Sequence, residues 1–450
     1  MESARSGGVA ADARERGVLV SRSCEVPDVS FRAFLTERAV PRIHWSAPDG
    51  LEVAGGGAAV RLRASGPDRF ETLRTGARAV FADVDHDGPR ATRPRMLGGL
   101  AFTDDHDATG PWTGFPAAGF SLPAAQLTRT SESTYLTVSR FGPDVDPERV
   151  EAELERVRED VATLPAMVPS GDPPGVRATR HRTDAAEWQA GVSEAAARIR
   201  EGALRKVVLA LALDVDLAGE VDVPSVLERL RRTYPQCYRF LVQPAETAGF
   251  FGAPPERLVR LTGRHVETEA LAGSAARGDT PEEDADLAAA LVESEKIQHE
   301  QGLVAETIRD LLAPLGEVTV GDQEVHRLAT IQHLRTPITA DLAADEHVLS
   351  IVEALHPTPA VGGLPPDVAE RTIRETETFE RGWYAGPVGW FDADGDGEFA
   401  VGIRSGVAGD RRATLFAGNG IVGDSDPEDE WDEVRLKYRP ILDELERTGE

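Results

Sequence analysis

Apolar runs of strand length, each closed off by Gly, Pro or Asp, recur along this sequence and restrict it to folds built on sheets. "LEVAGGGAAVRLRA", "RMLGGLAFT" and "STYLTVSRF" are of this kind and predict a β-rich stretch up to about residue 145. "DPERVEAELERVREDVATL" (146–164) has apolar residues at helical spacing instead, and "PSGDPPGVR" (169–177) reads as a linker. Beyond it helices and strands alternate. "TDAAEWQAGVSEAAARIREGAL" is a helix, the apolar strand "KVVLALALDVDL" follows, residues 280–316 read as the longest helical region, and a last helix starts near 427. The expected organisation is a polar lead-in over 1–25, a β-rich part over 26–170 and a second region over 178–446.

Composition narrows the function. The net charge of −28 argues against a nucleic-acid partner, because phosphate backbones demand a basic surface. Such a chain repels itself at low salt, and at molar salt, where the Debye length is roughly 3 Å, the repulsion is screened. With so little lysine, the composition resembles that of salt-adapted proteins. There is no run of 18 apolar residues for a membrane span and no apolar signal segment at the start, and two cysteines are too few for a disulfide framework. A cytoplasmic protein is expected, without membrane partners.

Lysine is scarce: Lys206, Lys296 and Lys437 are all there are. Lys206 opens the apolar strand, where arginine would supply charge equally well. A lysine can lose its proton and an arginine cannot. A strand-edge lysine in solvent is the ordinary alternative. Glu430, Glu433 and Lys437 share a helix face at i, i+3 and i+7, and Lys296 and Glu300 share one at i, i+4. These spacings suit surface ion pairs, and equally two carboxylate-bearing helices that clamp a hard cation such as Mg²⁺. Glu256 closes the Gly-Pro turn "FFGAPPE", His333 lies in "TIQHLRT", Arg404 interrupts an apolar strand, and Gly418 and Gly420 allow close approach to the backbone.

Two motifs are decoys. "GNGIVG" (418–423) fits a dinucleotide-binding pattern, but the βαβ context that would support a nicotinamide oxidoreductase is missing. "DADGDGE" (392–398) looks like half a calcium loop, yet its twelfth position is Ile403 and its flanks read as strands, so a hairpin turn is expected.

In order and wording, "KVVLA", "FFGAPPERL", "ALAGSAARG", "SEKIQHE", "QHLRTPI", "LHPTPAVGG", "ERGWYAGPVGW", "GEFAVGIRS" and "AGNGIVGDSDPEDEWDEVRLK" resemble the chorismate-utilising enzymes. These are the isochorismate and salicylate synthases and the large subunits of anthranilate and aminodeoxychorismate synthases. The resemblance implies an α/β (α+β) fold like anthranilate synthase component I, with two packed, mostly antiparallel sheets and helices outside, and makes 178–446 the catalytic region. It implies Lys206 as general base and Glu256 as general acid. Glu300, Glu430 and Glu433 become Mg²⁺ ligands. Ser274, His333, Ala360, Tyr384, Arg404, Gly418, Gly420 and Lys437 become the substrate pocket.

Three positions separate the branches. Anthranilate-type subunits, which use ammonia, resemble one another in glutamine where this chain has Lys206. Aminodeoxychorismate synthases carry a lysine nucleophile in the segment matching "ALAGS", where this chain has Ala272. Salicylate synthases have threonine where this chain has Ala360. All three imply the isochorismate synthase branch, which adds water to chorismate at C2 with loss of the 4-hydroxyl and works without a glutamine amidotransferase subunit. The product would feed menaquinone or a siderophore. The alternatives are a salicylate synthase, which also releases pyruvate, and a non-catalytic chorismate-binding homologue. Leu211, Pro254 and Gln301 depart from the family pattern.

Overall fold

The computed structural model describes residues 11–12, 17–328 and 331–447; the side chains of Ala11, Asp12, Ala272, Ser274 and Lys296 fall outside that set. The described strands form one eleven-stranded and one thirteen-stranded sheet. Pairing is antiparallel throughout except where Ala11–Asp12 meets Val60–Ala64 and Val18–Val26 meets Val84–Asp87. The expected fold, two mostly antiparallel sheets with helices against them, is the one found.

A continuous apolar core joins the inner faces of the two sheets. Phe120, Phe391 and Phe399 of the first sheet and Trp45, Phe240 and Phe250 of the second belong to it, all at most 1% exposed. Trp112 and Trp383 bridge toward Phe250 with ring centroids 5.2 and 6.3 Å apart. Helix Pro147–Ala162 covers Val18–Val26 and Thr134–Gly142 over a smaller core of Val20, Val138, Val150 and Leu154. Its Asp146 cap accepts from the Glu148 amide, and Pro147 sits in the first turn where its missing N–H costs nothing.

Strands from both stretches of the chain enter both sheets. Arg95–Leu100 pairs with Pro387–Asp392 in one sheet, and Arg42–Ser46 pairs with Arg239–Ala245 in the other. The lead-in expected over 1–25 ends earlier: Val18–Val26 is a strand, with Leu19 and Val20 in the core, because "VLV" lets a short polar segment pair along all of Thr134–Gly142. Residues 1–10 and 13–16 lie outside the described set.

The long helical region is likewise two helices, Pro281–Glu293 and Glu295–Leu312. They break at Ser294, whose extended backbone ends one and whose hydroxyl accepts from the Ile297 amide to cap the other. Both decoys lie in sheet structure. "GNGI" is the end of strand Arg412–Ile421, and "DADGDGE" turns the chain between Pro387–Asp392 and Gly397–Val401.

Candidate active site

Strand Lys206–Leu217 pairs antiparallel with Arg412–Ile421 and sets the floor of a cavity of about 270 Å³. Val208 lies opposite Gly420 and Ala210 opposite Gly418, so backbone without side chains faces the first turn of the lysine strand. A Cβ on Gly420 would come 2.9 Å from Lys206 Cε and 3.1 Å from Glu300 Oε1; one on Gly418 would come 3.1 Å from the Tyr384 hydroxyl. Glycine at both positions is what keeps the cavity open.

Lys206, Glu256, Glu300, His333, Ala360, Tyr384, Arg404, Gly418, Gly420, Glu430, Glu433 and Lys437 all line this cavity. Ser274 lies opposite His333 in the strand pairing, but its side chain is outside the described residues. Residues up to 231 positions apart in sequence, from Lys206 to Lys437, are thus brought to one place.

Lys206 is 2% exposed and its Nζ lies 2.6 Å from Glu300 Oε1. Glu256, 4% exposed, precedes strand Arg257–Thr262. Burial and the nearby Glu269 charge push its carboxyl up to about 8, against a smaller opposing pull from Lys206, so it holds its proton at neutral pH. The Glu269 charge is itself fixed by Arg335, 2.5 Å away, and by the Arg257 amide.

On helix Pro427–Leu436, Glu430 accepts from Ser425 Oγ (2.8 Å) and Asn419 Nδ2 (2.9 Å). Burial and the neighbouring Glu433 raise its pKa. Lys437 donates to Glu433 Oε1 (2.9 Å), the Gly418 carbonyl (3.1 Å) and Asn419 Oδ1 (2.6 Å), and burial lowers its pKa. Arg404 sits at φ 49, in the left-handed region that a non-glycine residue rarely takes, and donates to the Lys437 carbonyl at 3.4 Å. Burial pushes the Tyr384 hydroxyl up to about 12, keeping it a neutral donor. His333 Nδ1 lies 3.0 Å from the Gly273 carbonyl and so carries the proton. Burial drives its pKa down to about 3, leaving a neutral imidazole.

The three glutamates offer hard oxygen ligands of the kind Mg²⁺ takes, and two of them, Glu430 and Glu433, face each other as like charges. Their oxygens and those of Glu300 do not all come within 4.8 Å of one another. Among the described residues the carboxylate group that does is Asp392, Asp394 and Asp396 in the hairpin turn. Glu300 is held by Lys206 and Glu433 by Lys437, so a cation would compete with two ammonium groups for them.

Several lining residues were not singled out from sequence. Arg381 is 4% exposed, pairs with Glu377 at 2.5 Å and donates to the Val208 and Val361 carbonyls at 2.7 and 3.0 Å. It ties the lysine strand to the "HPTPAVGG" loop. Its signal lay inside "ERGWYAGPVGW", where adjacent aromatic residues drew the attention. Of the departures from the family pattern, Gln301 donates to the Ala270 carbonyl and Thr336 Oγ1, anchoring its helix to the sheet, and Leu211 is core.

The sequence matches the family model for chorismate binding enzymes over residues 7–446. The chain belongs to that family. It is 37% identical over 454 residues to the salicylate biosynthesis isochorismate synthase of Pseudomonas aeruginosa, covering 98% of this chain and 92% of the relative. It is 36% identical to the isochorismate synthase MenF of Bacillus subtilis, over 79% of this chain and 75% of that one. These relatives place this chorismate binding enzyme in the isochorismate synthase branch. The structure of MenF from Escherichia coli superposes with a TM-score of 0.81 at 27% identity, covering 96% of this chain and 95% of that one. Anthranilate synthase component I from Streptococcus pneumoniae shares the fold at 0.74 and 21% identity, covering 88% and 93%. Among the described residues, no helix is long and apolar enough to cross a membrane.

Proposed function

We propose that this protein converts chorismate to isochorismate by adding water at C2 of the ring as the 4-hydroxyl leaves, with Mg²⁺ as cofactor. The observation that carries the reading is a buried acid, Glu256, held protonated to about pH 8 in the same cavity as the buried amine of Lys206. Water adding at one ring carbon while hydroxide leaves another needs a base on the first and an acid on the second. Lys206 Nζ takes a proton from water as its oxygen bonds to C2. The ring double bonds shift, the C4–O bond breaks, and Glu256 gives its proton to the departing hydroxyl, which leaves as water.

Charge supports the metal assignment. With Lys206 neutral, as a base must be, Glu300, Glu430 and Glu433 exceed Arg404 and Lys437 by one charge, while Arg381 is neutralised by Glu377 and Glu256 is uncharged. A substrate with two carboxylates would leave this cavity three charges negative, and one divalent cation would remove two of them. Bound by Glu300, Glu430 and Glu433, Mg²⁺ would supply that charge at the ring carboxylate. Arg404, Lys437 and the Tyr384 hydroxyl offer donors for the substrate's carboxylates, and the Gly418 and Gly420 backbone leaves the ring room. Ser274 and His333 complete the pocket. Ala360 leaves the enolpyruvyl ether intact, so no pyruvate is released.

The deciding experiment incubates the purified protein with chorismate and Mg²⁺ at high salt, resolves the products by chromatography and assays pyruvate. Isochorismate without pyruvate is expected. Salicylate with pyruvate would move the protein to the salicylate synthases, and chorismate bound without turnover would make it a non-catalytic homologue. Lys206→Gln is expected to abolish water addition; unchanged isochorismate formation would remove Lys206 as the base.

A further inference from the structure

Lys437 and Glu430, at the end and near the start of helix Pro427–Leu436, meet through one amide. Asn419 stands between Gly418 and Gly420 on strand Arg412–Ile421 and is 1% exposed. Its strand partner, Leu209, is wholly buried core. An amide buried there costs stability unless both of its ends are satisfied.

Both ends are used, on groups with opposite charge. Nδ2 donates to the Glu430 carbonyl and to Glu430 Oε2, each at 2.9 Å, and Oδ1 accepts from Lys437 Nζ at 2.6 Å. The donor end faces the carboxylate and the acceptor end faces the ammonium, which also fixes the sense of the amide. Ser425 Oγ takes the other Glu430 oxygen at 2.8 Å, so the carboxylate plane is held from two sides.

Lys437 has three acceptors: Asn419 Oδ1, the Gly418 carbonyl and Glu433 Oε1. Asn419 and Gly418 belong to the strand, so those two bonds hold the ammonium when Glu433 turns to another partner. The third proton is then presented to the cavity at a fixed place.

We propose that Asn419 is a positioning residue that sets Glu430 and Lys437 in register with each other, and so couples the magnesium site to the substrate-carboxylate site. This rests on the reading of the cavity as a chorismate and Mg²⁺ site. Asn419 lies among neither the acid–base pair nor the residues assigned to touch substrate; it acts through its two neighbours.

The test is calorimetric titration of MgCl₂, and separately of chorismate, into wild type, Asn419→Ala, Ser425→Ala and the double variant, with a thermal melt of each. Loss of an outer partner of a metal ligand typically costs 10- to 100-fold in metal affinity, so Asn419→Ala is expected to weaken Mg²⁺ about tenfold or more. It should weaken chorismate in the same experiment and raise KM more than it lowers kcat. Asn419 and Ser425 share Glu430, so their effects on Mg²⁺ should be non-additive, while Ser425→Ala leaves chorismate affinity in the absence of metal unchanged.

A merely structural amide would lower the melting temperature and leave both dissociation constants at wild-type values, which would overturn the proposal. Should the alanine variant not fold, Asn419→Ser keeps a buried polar group one bond shorter and is judged by the same constants. Wild-type protein that takes up neither ligand would remove the underlying reading and this one with it.

Discussion

Glu256, just before strand Arg257–Thr262, and Glu398, in the strand that pairs with it, are buried to nearly the same degree and placed in opposite company. Glu398 lies in strand Gly397–Val401, opposite Arg260 of the strand that Glu256 precedes; their exposures are 1% and 4%. Burial pushes both carboxyls upward. Around Glu398 the Tyr238 hydroxyl donates at 2.7 Å, and Arg260 and Arg257 stand at 3.0 and 3.6 Å. Near Glu256 the strongest neighbour is another carboxylate, Glu269, which pushes it up further. Similar burial therefore accompanies a hydrogen-bonded, ion-paired structural group in one case and a carboxyl held up to about 8 in the other. What separates them is the sign of the neighbours.

Exchanging each carboxyl for an amide or a methyl group sharpens the contrast. Glu256→Gln should cut kcat by about 10²- to 10⁴-fold, the range for a lost general acid, with the melting temperature held or raised. An unchanged kcat would put the acid elsewhere. Glu398→Ala should do the reverse. It removes the carboxylate that Tyr238, Arg257 and Arg260 share, leaving Glu267 and Asp49 to the arginines, and should cost about 1–3 kcal/mol in denaturant unfolding while kcat per folded molecule stays near wild type.

The pH dependence follows from the Glu256 value. With Glu256 as the proposed acid, activity needs its protonated form, so kcat/KM should fall as pH rises through about 8. The native state keeps this proton while the unfolded chain releases it near the ordinary carboxylate value. Stability from this group is thus full below about 4.5 and is lost as pH climbs from there toward about 8. In Glu256→Gln both the pH limb and that part of the stability slope should vanish. The smallest effect expected is on salt: with a net charge of −28, the melting temperature should climb steadily from low salt to molar NaCl. A flat curve would mean the ion pairs already neutralise the surface locally.

The sheets and the site were legible to different extents. Alternating apolar runs announced the strands, and family-like wording picked out residues that meet at one cavity. The break at Ser294 stayed hidden because helical periodicity continues across it and the capping box is incomplete: Ile297, not Glu or Gln, occupies its third position. The strand at 18–26 stayed hidden because the polar run "SRSCE" separates "VLV" from Val26 and its burial depends on a partner more than a hundred residues on. Asn419 binds Glu430 and Lys437, and Arg381, beyond its local partner Glu377, binds the Val208 and Val361 carbonyls, so no local pattern marks what either ties together. The resemblance named Glu256 as general acid, but the raised pKa that suits the role needed structure, since it comes from burial and then from Glu269, which only folding supplies.

The pairing of Lys206–Leu217 with Arg412–Ile421 also governs when in the life of the chain the site can exist. About two hundred residues separate the two strands, and Lys437 follows the second. During synthesis the chain must have left the ribosome as far as strand Arg412–Ile421 before the floor of the cavity can close. Until then Lys206, Glu256 and Glu300 are side chains without a pocket. Contacts of such long range are slow to form. A chain that stops short of Arg412–Ile421 thus holds these side chains without the cavity that brings them together.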